Sequence, residues 1–126
     1  MKEFIAYHGQ AFTIEWYYDT KEVSIAKNYF HQLSQERQDK LFVLFKRMGD
    51  IGKINNITKF RNEGDKIYAF KPQPDRFLCF FFTGKKIIVT NAFMKKQDKL
   101  PESEKERALK LMQDYEARVK QGSYYD

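Results

Sequence analysis

Cysteine occurs once in this 126-residue chain and histidine only twice. A single cysteine cannot close an internal bridge, so nothing in its usage points to an oxidising compartment. Cys79 lies inside the apolar run FLCFFF at residues 77–82. Apolar surroundings raise a thiol pKa, so a buried, inert filler is expected there. The familiar catalytic signatures are missing too: no GxSxG, no HExxH, no Walker loop and no Cys/His metal spacing. His8, ahead of the first expected strand, and His31, in the first expected helix, have no partner at useful spacing. Both read as surface or packed residues. No apolar stretch approaches the length of a membrane span, and the opening MKEFIAYHGQ lacks the apolar core of a signal peptide. The cytoplasm is the expected compartment. With six glycines and three prolines, the chain shows no linker, low-complexity run or internal repeat.

What the chain does have is aromatic bulk and positive charge. Hydrophobic residues make up 42% and aromatics 17%, well outside the disordered range despite a mean hydropathy of -0.71. The length fits one domain over residues 1–126, large enough to bury its own core. The formal net charge is +6. Residues 59–96 alone hold nine Lys/Arg against three Asp/Glu, which accounts for all of it. That window is also the most strand-like part of the sequence. A sheet that concentrates the charge while the helical segments stay neutral suits an extended polyanion, nucleic acid first.

Periodicity predicts the order β-α-α-β-β-β-β-α. Residues 12–18 alternate and are rich in β-formers, so they read as an opening strand. Ser24 and Ser34 are candidate caps for two helices. The first buries Ala26, Tyr29, Phe30 and Leu33; the second buries Leu41, Leu44, Phe45 and Met48 and is expected to stop at the glycines of residues 49–52. Strands follow at 58–62, 66–71, 76–83 and 86–93, separated by turn sequences, with two prolines in the reversal at 72–75. Residues 102–119 form an amphipathic helix with an acidic first turn, and 122–126 are expected to fray. The fold class is α+β: helices against one face of an antiparallel meander, with the opposite face free for basic residues.

The candidate chemistry rests on cations. Lys59 and Arg61 share a face if they lie on a strand. Lys71 ends the next strand, Arg76 begins the central one, and Lys95 and Lys96 follow the last. Arginine offers a planar fork for phosphate, and lysine a point charge that can be tuned to accept a proton. Such a set suits cleavage of a phosphodiester by its neighbouring 2′-hydroxyl, where a crowded phosphorane is neutralised and two protons move. The alternative is a solvated sheet edge whose lysines discourage aggregation. Asp75 and Asp98 read as turn or cap residues.

From residue 59 onward the chain resembles the HigB-type toxins of the RelE/ParE superfamily. The matching pieces are KFR at 59–61, IYAFK at 67–71, RFLCFFF at 76–82, IIVTNAFMKK at 87–96 and KLP at 99–101. The helix bearing Glu104, Ala108 and Tyr115 completes the match. The resemblance implies a RelE-like fold: an N-terminal helical hairpin, an antiparallel meander and a C-terminal helix. It implies a toxin of a two-gene toxin–antitoxin pair that cuts messenger RNA in the vacant decoding site of the ribosome, with neither metal nor cofactor. Carried over, Lys59 and Arg61 are the basic pair near the nucleophile, one of them a candidate general base. Arg76 grips the scissile phosphate, and Lys95 or Lys96 stabilises the transition state. Lys71, Lys85 and Lys86 are expected to contact RNA, and Tyr68 to stack on a base. A common arginine or glutamate–leucine–arginine pattern in the family's second meander strand stands here as Ala69, Phe70 and Lys71. The C-terminal aromatic or histidine that moves protons in well-known members has no clear match.

The implied partners are a helix-turn-helix antitoxin of HigA type and messenger RNA on the ribosome. Two rival readings keep the fold. One is a phage-derived or orphan protein that binds RNA or ribosomes without cutting. The other is a ParE-like gyrase inhibitor, ranked lower because the FMKK segment and the Lys59/Arg61 pair belong to the ribonuclease branch.

Overall fold

The computed structural model describes residues 2–125. A short 3-10 turn at Lys2–Phe4 leads into β1 (Ile5–His8) and β2 (Thr13–Trp16). Helices α1 (Ile25–His31) and α2 (Gln35–Ile51) follow, then β3 (Phe60–Gly64), β4 (Ile67–Phe70), β5 (Asp75–Phe82), β6 (Lys86–Met94) and α3 (Glu102–Lys120). The six strands form one sheet in the order β1-β2-β6-β5-β4-β3. The meander β3–β6 is antiparallel as expected, but the sheet as a whole is mixed. β2 lies parallel to β6, Thr13 opposite Lys86 and Trp16 opposite Val89. The all-antiparallel expectation fails at this one seam, because the helical hairpin returns the chain to the far edge before the meander begins.

The caps behave as their chemistry dictates. The Ser24 and Ser34 hydroxyls accept from the backbone N–H groups of Lys27 and Arg37. Helix α2 runs on through Gly49 and ends at Gly52, whose φ of +90° supplies the left-handed turn. Gly49 therefore serves contact, not termination. A Cβ there would lie 2.6 Å from the Tyr7 ring, and one on Gly9 would lie 2.2 Å from the Gly49 carbonyl. These paired glycines let the β1–β2 hairpin press against α2, where the Gly49 carbonyl accepts from Ala11 and Phe12. Strand β1 itself gave no sequence signal, being a four-residue, half-exposed edge.

Helices cover both faces of the sheet, contrary to the one-face expectation. Phe77 meets Trp16 and Tyr29 on the α1–α2 side, whereas Phe80 and Phe82 meet Tyr115 of α3 on the other. This is why β5 is apolar along both faces. Cys79 is fully buried in it, and burial pushes its thiol pKa up. The tail does not fray over its described residues; Asp126, part of that expectation, lies outside them. Tyr124 is 1% exposed and stacks on Tyr18, whose hydroxyl donates to the Tyr124 carbonyl at 2.7 Å. Tyr125 donates to Glu15 at 2.6 Å and so is left to accept from Tyr115. Lys86 lies 3.7 Å above its ring. An aromatic latch thus ties the C-terminal segment to β2.

Among the described residues no helix is long and apolar enough to cross a membrane.

Candidate nucleic-acid interface

Sheet register builds the site. Arg61, Ala69, Leu78 and Asn91 are successive cross-strand partners and so share one face. Two residues before Leu78, Arg76 points to that same side, opposite Phe93. Phe70 pairs with Phe77, which sets Lys71 beside Arg76. A bulge in β6 places both Thr90 and Asn91 over Leu78. The Asn91 amide then donates to the carbonyl and carboxylate of Glu104, at 3.2 and 3.0 Å. That anchors the start of α3 and returns the loop at residues 95–101 over the end of the sheet.

The result is a crevice of about 20 Å³ lined by Lys71, Arg76, Lys95, Glu63, Asp98 and Phe93. It has room for about one water-sized group. A second cavity of about 350 Å³ shares Glu63, Asp98 and Lys99 with it and adds Arg61 and Lys105.

Arg76 is only 8% exposed. It donates to two neutral oxygens, Gln73 Oε1 at 3.2 Å and the Asp75 carbonyl at 3.0 Å. Among the described residues, no carboxylate comes within 4 Å of it. Burial holds its pKa below the usual arginine value, with Glu63, Asp75 and Asp98 opposing from farther away. A guanidinium buried without its anion is costly, and a ligand phosphate would supply the missing partner. Lys71 donates to the Ile57 carbonyl at 3.3 Å. Burial, then the charge of Arg76, pushes its pKa down, with smaller contributions from Arg61 and Lys95. Lys95 pairs with Asp98 at 2.8 Å, but that aspartate is 98% exposed, so the pair is weak and easily exchanged.

Directly behind Arg76, on the α1–α2 face, Asp75 is fully buried. It receives Arg37 Nε at 2.9 Å and Nη2 at 2.5 Å, and the Tyr29 hydroxyl at 2.5 Å. The turn-residue reading of Asp75 is therefore replaced by a strand residue that clamps both helices to β5. Nothing in the sequence marked Arg37 as its partner, 38 positions away.

The expected site residues divide into three groups. Arg76, Lys71 and Lys95 converge on the crevice, and Arg61 lines the adjoining cavity. Lys59 precedes β3 in a turn and lines a separate cavity with Lys40, Val43 and Leu44 of α2. Lys96 is exposed beyond β6. Tyr68 falls on the opposite face, stacked on Phe60 at 5.5 Å. Lys85 and Lys86 sit at the other end of β5 and β6, roughly 20 Å from Arg76 at strand spacing. Lys86 is drawn toward Glu15, 3.6 Å away. Sequence reasoning missed Gln73, Glu63 and Phe93, and Asp98 was read only as a turn residue. Lys99 lay in the KLP segment without a role.

Residues 28–113 match the family of phage-derived Gp49-like proteins. The chain belongs to that family. The match covers more than half of the sequence and takes in the whole of the cationic site. Gp49-like proteins are of the RelE/HigB-like toxin type, which agrees with a toxin role. No curated protein matches the chain. The latch pieces, β2 and the Tyr124–Tyr125 segment, lie outside the matched stretch. Among the described residues no cluster of His, Cys, Asp and Glu is arranged to hold a metal ion.

Proposed function

We propose that this Gp49-like protein is a HigB-type toxin with a RelE-like fold that cuts messenger RNA on the ribosome. The carrying observation is Arg76, buried beside Lys71, Lys95 and Lys99 and, among the described residues, without a carboxylate within 4 Å. In this reading Arg76 holds the non-bridging oxygens of the scissile phosphate, where charge builds as the 2′-oxygen attacks. Lys95 trades its exposed Asp98 for the same phosphate, and Arg61 and Lys99 carry the flanking strand. The partner is a helix-turn-helix antitoxin of HigA type that masks the cationic surface, and the compartment is the cytoplasm.

The test is expression of the chain without any partner. Growth arrest with cuts inside translated messages is expected, and Arg76→Ala should lower cutting by about 10²–10³-fold, as loss of one transition-state donor does elsewhere. Arrest with intact transcripts excludes the nuclease.

One observation favours a second reading, a protein that binds RNA or ribosomes without cutting. Among the described residues no tyrosine or histidine lines the Arg76 crevice. Ribosome binding without cleavage of any message would select that reading. DNA-damage signalling in place of message loss would select a ParE-like gyrase inhibitor.

A further inference from the structure

We propose that Lys71 is the group that takes the proton from the attacking hydroxyl, an assignment that rests on the nuclease reading above. Lys71 lines the same crevice as Arg76, so a single phosphate oxygen entering it would meet both side chains. Its only hydrogen-bond acceptor among the described residues is the neutral Ile57 carbonyl, and no carboxylate lies within 4 Å. Four other lysines have a carboxylate within 4 Å: Lys46 has Asp50, Lys86 has Glu15, Lys95 has the exposed Asp98 and Lys105 has Asp65.

The charged groups facing Lys71 come from every neighbouring element. Arg76 approaches from β5, Arg61 from β3 and Lys95 from the segment after β6, all disfavouring a further positive charge. Glu63 of β3 opposes them, and Asp98 is held by Lys95. Burial acts first and in the same direction as the cations, so the ammonium gives up its proton more readily than an ordinary lysine's. Each unit of lowering raises the neutral amine fraction about tenfold near pH 7. The other candidates fail on chemistry or position. The guanidinium groups of Arg61 and Arg76 offer donors and no acceptor, and Lys59 lines a different cavity. An arginine at position 71 would supply charge but no proton acceptor. The lysine found here supplies both.

The step balances without a co-reactant. The 2′-O–H bond breaks and its proton passes to the neutral Lys71 Nζ. The O2′–P bond forms as the P–O5′ bond breaks, and the departing 5′-oxygen takes a proton from water. Lys71 then returns its proton to solvent, leaving a 2′,3′-cyclic phosphate and a 5′-hydroxyl end.

Single-turnover cutting of a programmed ribosome, followed across pH, tests this. Wild type should show a rate that rises with pH to a plateau, with a midpoint below that of ordinary lysine. Lys71→Arg should bind equally well, cut at least about 100-fold more slowly and lose that rise. A Lys71→Arg variant that cuts at the wild-type rate overturns the assignment while leaving the nuclease reading intact. Absence of cutting by wild type overturns both. A second measurement needs no substrate: NMR titration of the ¹³C-dimethylated protein. The Lys71 signal should titrate below the exposed lysines, and titration together with them overturns the assignment.

Discussion

The two ends of the β5–β6 hairpin carry similar charges and treat them oppositely. At the closed end, Lys86 is drawn to Glu15 and rests on the Tyr125 ring, whose hydroxyl is held by the same glutamate. At the open end, the hydrogen bonds of Arg76 and Lys71 among the described residues go to neutral oxygens, and no carboxylate comes within 4 Å of either. The contrast repeats across the thickness of the sheet. Arg37 has a carboxylate in Asp75, while Arg76, next to Asp75 on β5, has none within 4 Å among the described residues. Charge satisfied within the chain stabilises the fold. Charge left unsatisfied stores binding energy for an anion from outside.

Substitutions on the two faces of β5 should separate these roles. Arg76→Ala, expected to remove cutting, should leave the urea midpoint unchanged or raise it, because an uncompensated buried charge disappears. Asp75→Ala should do the reverse. It strips Arg37 and Tyr29 of a fully buried acceptor and should cost about 3 kcal/mol in urea unfolding. Cutting per folded molecule should survive, since Arg76 is held by the Asp75 carbonyl, which alanine retains. If both variants lost stability equally, Arg76 would be part of the scaffold and the contrast would collapse.

A smaller effect is expected at the latch. Tyr125→Phe removes the hydroxyl that bridges Glu15 and Tyr115. With Glu15 only 7% exposed, the loss should be about 1–2 kcal/mol by urea unfolding, without change in message cutting. Lost cutting at unchanged stability would tie the latch to the site and erase the division between the two ends.

How far the sequence revealed all this depended on the range of each signal. Local chemistry was readable: serine caps, the alternation of the meander, the acidic start of α3 and the clustering of charge at 59–96. Pairing at a distance was not. The parallel β2–β6 seam joins segments more than 70 positions apart, and no turn residue announces it. Strand β1 was invisible because an exposed four-residue edge needs no apolar pattern. The site was half legible for the same reason. Cation identity and strand position grouped Arg76 with Lys71 and Lys95. Lys59 strayed because the chain enters β3 only at Phe60, leaving that lysine in a turn beside α2. Tyr68 followed the pleat to the other face. The tail looked like a frayed end because a glycine, a serine and two tyrosines say nothing about Glu15, 110 positions from Tyr125.

The smallest expected effect lies beside the latch, at Asp114. Burial alone would raise its carboxyl pKa, but hydrogen bonds from Tyr17 and Arg118, with the Arg118 charge, outweigh burial and hold it below the ordinary 3.8. A folded pKa below the unfolded one means that the unfolded chain binds the proton more readily. The contribution is therefore fully present above the ordinary value and is lost as pH falls through the lowered one. Thermal melts of wild type and Asp114→Asn from about pH 5 to about pH 2 should converge toward the acid end. The gap at pH 5 should be modest, because the aspartate side chain is 44% exposed and solvent screens the pair. A constant gap across that range would mean that Asp114 acts through shape and not charge. The charge pairing of the closed end would then come down to Lys86 and Glu15, the counterpart to the open cations around Arg76.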